Sequence, residues 1–334
     1  MSPIHASIRL GKDGWLDFRR KPEEAKVSRR LVGTDFARFR DWNRRYRQAL
    51  GRSGERPTML ALGREIHGWL DGGESILETL LERTDGTAMV VEFSIGRDSG
   101  EDARAFLDAP WELVADEQGH WAVRDTVLWC PVRRVGTAQE PAPPSDFRLT
   151  AVFMAAAPQD LAAHQELDFE GEEAAVLRAT EKSPVDLIVE ESGMLDSLGA
   201  CMAREKPDLV HISCHGEANP EPGLLLENEL GRGEYATLDK IQKLTSASPR
   251  LLFLSACKTA EADGLVDSLA GGLVVRGVPA VVGWRGSVKD REATLFAASL
   301  YRCLADELDV ARAVAQARFE MAGHEELGPA GARD

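Results

Sequence analysis

No run in this chain of 334 residues approaches eighteen consecutive apolar residues, which excludes an expected membrane-crossing helix. The opening Met1-Ser2-Pro3-Ile4-His5 lacks the basic-then-apolar pattern of a secretory signal, so a cytoplasmic protein is expected. Cysteine is sparse: five residues, an odd number without regular spacing. That excludes a disulfide framework and fits a reducing compartment in which thiols stay free. Positive charge is short as well, with 40 Lys and Arg against 55 Asp and Glu and a net charge of −15. Phosphate contacts need a basic surface, so general nucleic-acid binding is not expected. One local exception gathers Arg19, Arg20, Lys21, Arg29, Arg30 and the arginines from 38 to 47 around Trp42 and Tyr46. It reads as a solvated helix face or a dock for an acidic partner, or, as the less favoured alternative, as a basic arm stacking RNA bases.

What the sequence does have is 43% hydrophobic and 28% charged residues, the balance of an ordinary globular protein with room for two domains. The first 136 residues read as an α+β region. An Asp13-Gly14 turn separates the alternating runs Ser7 to Leu10 and Trp15 to Phe18, a hairpin pattern. Val32 to Leu50 and Thr58 to Glu82 read as helices, Met89 to Ile95 as a strand, and 111–132 as a small β-rich region. Residues 137–147, Thr-Ala-Gln-Glu-Pro-Ala-Pro-Pro-Ser-Asp-Phe, read as a linker because prolines and small residues prevent continuation of either regular element. From 148 to 334 strand-like and helix-like segments alternate as βαβ units do, which predicts an α/β domain around a mostly parallel sheet. Its last helix is expected over Val310 to Met321, closing that domain.

Two segments carry the chemistry. Leu209-Val210-His211-Ile212-Ser213-Cys214-His215-Gly216 and Leu251-Leu252-Phe253-Leu254-Ser255-Ala256-Cys257 are apolar strands that break at polar tips. If they lie side by side and parallel, both tips emerge at the carboxyl edge of the sheet, where α/β folds place ligands. Cys257 is then a nucleophile, since a thiol attacks a carbonyl only as thiolate or beside a base, and His215 is the base. Backbone N–H groups of Gly216 and Cys257 are the candidate oxyanion hole. His211, Cys214 and His215 also bring a metal to mind, but strand alternation sends Cys214 to the opposite face, so neither a metal nor a cofactor is expected.

The order of these pieces resembles a known family. Val152 to Leu161, Glu172-Glu173-Ala174-Ala175, Asp208 to Gly216, Gly223 to Glu227, Leu254 to Ala260, Gly277 to Gly283 and Val288 to Ala293 together look like a CHAT domain. Upstream, Pro110-Trp111-Glu112-Leu113 is similar to a stretch that often precedes the peptidase part in such proteins. The resemblance implies a caspase-like three-layer α/β/α fold, a bacterial cysteine peptidase, and a dyad of His215 and Cys257. It implies a specific protein substrate: a gasdermin-like pore former, a regulator or a toxin, cut as an effector step in a defence or conflict system. It also implies an activating sensor, expected as a separate protein or within the first 140 residues, because no repeat near 34 residues is visible.

The pocket selecting the residue before the cut is expected near Trp284 to Asp290, a segment similar to the separase stretch that carries an acidic pocket residue. Asp290 would then pair with a substrate Arg or Lys, unless it only caps the helix that follows. Arg285 argues for an acidic substrate residue instead, and Ser255 is a further pocket candidate. Two other functions fit the same residues: a catalytically silent scaffold of this fold, and a thiol hydrolase of small amides.

Overall fold

A computed structural model of the chain describes residues 4–20, 27–50, 56–81, 88–124, 126–136, 148–161, 168–217, 221–244, 249–256, 268–286, 288–306 and 309–326. The chain divides into two compact units, one of residues 1–137 with 308–334 and one of 138–307. The segment 137–147, read from sequence as a linker, lies outside the described residues, as does Cys257.

The first unit begins with β1 (Ile4–Leu10) and β2 (Trp15–Arg19), the expected hairpin, with Gly14 in the turn at φ 79°. A third strand, β3 (Val27–Arg30), pairs antiparallel with β2 and was not foreseen. Helix α1 (Gly33–Ala49) follows, its start held by Asp35, whose carboxylate accepts the Val32 N–H at 2.9 Å. The single helix expected over Thr58 to Glu82 is two, α2 (Arg56–Asp71) and α3 (Ile76–Leu81), broken where Gly72 takes φ 55° and Ser75 takes φ 47°. Consecutive Gly72-Gly73 gives the chain that freedom at the break.

Next come β4 (Ala88–Ile95), α4 (Glu101–Leu107), the short pair β5 (Ala115–Asp116) and β6 (Gly119–His120), and β7 (Leu128–Val135). The sheet order is β3-β2-β1-β4-β7, with β1, β4 and β7 mutually parallel. Of residues 111–132, expected to be β-rich, 115–116, 119–120 and 128–132 are in strands, whereas Trp111–Leu113 and Trp121–Val123 are 3₁₀ turns. Their tryptophans are fully buried, and burial of indoles rather than strand pairing shapes the segment. Trp111 stacks on Phe93 with centroids 4.2 Å apart, and its carbonyl accepts Trp129 Nε1–H at 2.9 Å. The neighbouring Glu112 pairs with Arg133 (2.7 Å), whose guanidinium also donates to the Leu107 and Ala109 carbonyls. The Pro-Trp-Glu-Leu stretch is therefore an architectural joint between the 3₁₀ turn and β7.

The basic cluster is explained in the same unit. Trp42 is fully buried and donates to Glu65, so it cannot stack a base. Arg40 pairs with Asp102, Arg44 with Asp41, and Arg45 with Glu65 at 2.7 Å. Arg40 and Arg45 thus tie α1 to α4 and α2, Arg44 pairs within α1, and the buried Trp42 is not a base-stacking surface.

The second unit is built on β8 (Leu149–Ala155), α5 (Phe169–Thr180), β9 (Val185–Glu190), α6 (Leu195–Glu205) and β10 (Leu209–Ser213). It continues with β11 (His215–Glu217), β12 (Gly223–Glu227), β13 (Gly233–Thr237), α7 (Leu238–Leu244) and β14 (Leu251–Ser255). It ends with α8 (Leu269–Val275), β15 (Val281–Gly283) and α9 (Asp290–Ala305). The main sheet, β15-β14-β10-β8-β9, is parallel throughout, and β11-β12-β13 form a small antiparallel sheet. Strands buried on both faces are continuous apolar runs, as β10 and β14 are. On one face Val210, Ile212, Leu252 and Leu254 pack with Leu198, Ile241 and Leu273 of α6, α7 and α8. The other face carries Phe153, His211 and Phe253 against Phe296 and Tyr301 of α9, which packs beside α5. This is the three-layer α/β/α architecture.

The final helix, α10 (Val310–Glu326), does not close the second unit as expected. It packs along β7 in the first, where Ala315 joins Val90 and Cys130 in a buried cluster. Its alanine-rich face fits a close approach to a sheet, and periodicity alone does not say which sheet it covers.

Candidate active site

Strands β10 and β14 are parallel neighbours in level register, Leu209 opposite Leu251 and Ser213 opposite Ser255. Neighbouring strands lie about 4.8 Å apart, so their carboxyl ends form one edge. The Cys214 N–H donates to the Ser255 carbonyl at 3.4 Å and continues the ladder past the strand end. The chain then turns into β11, where His215 lies opposite Leu225 and Gly216 opposite Leu224 of β12. The expected tip is thus the first residue of a second, smaller sheet, which fixes the histidine between two ladders. On the other strand the description ends at Ser255 and Ala256, directly before Cys257.

A pocket of about 180 Å³ opens at this edge. His215, Ser213 and Ser255 line it from the sheet, Asp168 and Glu172 from α5, and Asp290 from α9. Of the sequence candidates, His215, Ser255 and Asp290 therefore share one pocket, whereas Arg285 is not among its lining residues. Asp290 is not the helix cap: the N-cap of α9 is Lys289, and Asp290 Oδ2 accepts the Asp168 N–H at 3.3 Å. Asp168 is itself the N-cap of α5, its side chain accepting the Gly171 N–H at 3.0 Å.

Sequence reasoning gave no role to Glu172, yet it is the buried carboxylate at the centre of the site. Only 4% exposed, its carboxylate accepts both strand-end hydroxyls: Ser213 Oγ donates to Oε2, and Ser255 Oγ to Oε1 at 2.9 Å. Burial alone would push the carboxyl up. The His211 imidazole, 3.5 Å away, together with the two hydroxyls outweighs burial and holds the group below the usual glutamate range. Glu172 is ionised at neutral pH. His211 is fully buried, stacked on Phe253 at 4.3 Å, with neither ring nitrogen hydrogen-bonded among the described residues. The strand part of this cluster had a signal in the sequence: serines stand two positions before each candidate residue, on the same strand face as His211.

The other thiols are poor nucleophiles. Cys130, Cys201, Cys214 and Cys303 are all buried, and burial pushes the Cys130 thiol up to about 12. Among the described residues no His, Cys, Asp and Glu group has the arrangement of a metal site, and no helix is long and apolar enough to cross a membrane.

A parallel sheet with helices on both faces, and a histidine at its carboxyl edge beside a pocket, defines a caspase-like α/β/α class of protein. The model of the CHAT domain family matches residues 101–327, about two thirds of the chain, and the protein belongs to that family. CHAT domains are caspase-like cysteine-peptidase folds. The match spans both compact units, reaching from α4 into α10. No curated protein matches the chain in sequence.

Proposed function

We propose that this chain is a cysteine endopeptidase in which Cys257 is the nucleophile and His215 the general base. One observation carries the reading. The level ends of β10 and β14, Ser213 opposite Ser255, are each followed two residues later by one member of the dyad, beside a pocket that His215 lines.

His215 takes the thiol proton as Sγ attacks the scissile carbonyl, and an S–C bond forms. Backbone N–H groups of Gly216 and Cys257 hold the oxyanion. As the tetrahedral species collapses the C–N bond breaks, and His215 returns the proton to the departing amine. Water activated by the same imidazole then cleaves the thioester, releasing the carboxylic acid and restoring the thiol. In the pocket, Asp290 and Asp168 supply negative charge, which favours an Arg or Lys side chain before the cut, whereas the buried carboxylate of Glu172 is taken up by the Ser213 and Ser255 hydroxyls. Arg285, the argument for an acidic residue, is not part of that lining.

The substrate in this reading is a specific partner protein in the cytoplasm, such as a gasdermin-like pore former, a regulator or a toxin. Cleavage is an effector step of bacterial defence, released by a sensor protein. The test is coexpression of the chain with the products of neighbouring genes, set against Cys257→Ala and His215→Ala, and sequencing of any new amino terminus. A discrete cut lost in both variants is the expected result. Binding of a partner without a cut favours the silent scaffold. Turnover confined to small amides favours the amide hydrolase.

A further inference from the structure

Eight polar or charged residues are buried among the described positions, and four of them, Glu172, His211, Ser213 and Ser255, form one cluster under the carboxyl edge of β10 and β14. Glu172 is the only carboxylate among the eight. A buried carboxylate costs several kcal/mol of desolvation, and well-packed apolar residues at such a place are commonly as stable or more so. Stability is therefore a poor reason for this carboxylate to stand here. Its geometry suggests another reason. One oxygen takes the hydroxyl from the end of β10 and the other takes the hydroxyl from the end of β14, so a single rigid group on α5 spans the two strands. Each hydroxyl lies two residues before a member of the proposed dyad.

We propose that Glu172 is a positioning residue of the peptidase, setting the separation and orientation of His215 and Cys257 through the Ser213 and Ser255 hydroxyls; this rests on the dyad reading above. The carboxylate is suited to the task because it accepts from both hydroxyls at once. Glutamine, its isostere, offers one acceptor oxygen and one donating amide, so one serine must reverse its bond or lose it. A misplacement of about 1 Å at reacting atoms costs on the order of 100-fold in rate. The expected loss lies in the bond-forming step, not in substrate binding.

The experiment uses the full chain and two peptidyl acyloxymethyl ketones, with arginine or leucine next to the ketone. Labelling of Cys257 is followed by mass spectrometry, and each variant's folded fraction is measured in parallel. For Glu172→Gln we expect the maximal labelling rate to fall about 10- to 100-fold with the half-saturating concentration changed less than about twofold. Ser213→Ala and Ser255→Ala, each keeping one of the two hydroxyl bonds, fall in between. Thr180→Ala, which removes a buried hydroxyl bonded to the Val176 carbonyl on the same helix, loses stability but keeps the rate of its folded fraction. A Glu172→Gln rate within about twofold of the parent, or an equal fall in Thr180→Ala, overturns the positioning role. Labelling of Cys257 that His215→Ala leaves untouched overturns the dyad itself and this role with it.

Discussion

Replacing Trp111 with alanine separates an architectural Pro-Trp-Glu-Leu stretch from a functional one. Trp111 is fully buried, stacked on Phe93 at 4.2 Å and edge-on to Phe106 at 5.3 Å, with Phe39, Trp42 and Trp69 at 6.2 to 6.4 Å. Truncating a buried aromatic to alanine costs about 3–5 kcal/mol, and close aromatic pairs add about 0.5–1.5 kcal/mol each. With two close pairs lost, the cost belongs at the upper end, about 5 kcal/mol. At a urea slope of about 2 kcal/mol/M this moves the unfolding midpoint down by roughly 2.5 M. Tryptophan fluorescence is the right assay, because six of the seven tryptophans (Trp15, Trp42, Trp69, Trp111, Trp121 and Trp129) belong to the first unit. Trp111→Phe keeps a ring against Phe93 and is expected to lose less than half as much. A midpoint shift in Trp111→Ala worth less than about 1 kcal/mol, the range of ordinary surface changes, refutes the stacking argument.

Three further outcomes follow from the second unit. Glu172 is held below its ordinary value near 4.5, so its bonds stabilise the fold above that pH, and the contribution is lost as pH falls through the lower folded value. Urea melts should show the stability gap between the parent and Glu172→Gln narrowing below about pH 4.5, and a gap constant from pH 7 to 3 contradicts the ionised carboxylate. With Cys130, Cys201, Cys214 and Cys303 buried, the native chain should present at most one fast thiol to Ellman's reagent, none in Cys257→Ala and five in urea. Asp290→Asn should lower the preference for the arginine ketone over the leucine one by about tenfold, the value of one modest charge-assisted contact, and an unchanged ratio removes Asp290 from specificity.

The sequence was most legible where backbone chemistry and periodicity agreed. Asp13-Gly14 specified the β1–β2 hairpin because Gly14 must take a positive φ, and the apolar runs before Ser213 and Ser255 had to be interior parallel strands. Strand β3 was hidden because Val27-Ser28-Arg29-Arg30 is largely exposed and held by pairing with β2 rather than by an apolar face. The break near Gly72 was masked by helix-forming residues on both sides. At the site, histidine chemistry and the shared sheet edge could be read, but Glu172 could not. A glutamate in the first turn of a helix looks like a solvated, dipole-complementing charge until the fold turns it inward.

The final helix supplies the sharpest case, since its placement makes a prediction about a residue 180 positions away. Helix α10 covers β7, and Ala315 packs with Cys130 and Val90, while Ala311 lies against the same cluster. The Cys130 thiol is 1% exposed, and burial is the main cause of its high value. Arg318 and Arg312 work against that shift and Asp309 with it, all three from the same terminal segment. Ending the chain at Glu307 removes the cover and all three charges together. Cys130 should then move toward an ordinary thiol value and react with N-ethylmaleimide at pH 8, where the full chain leaves it unmodified. Because Val90 and Leu128 are uncovered by the same cut, the shortened chain should also bind a hydrophobic dye such as ANS. The refuting result is a shortened chain, folded by circular dichroism, in which Cys130 stays protected. Burial of that thiol would then be set by β4 and β7 alone, and α10 would not be the element that seals the first unit.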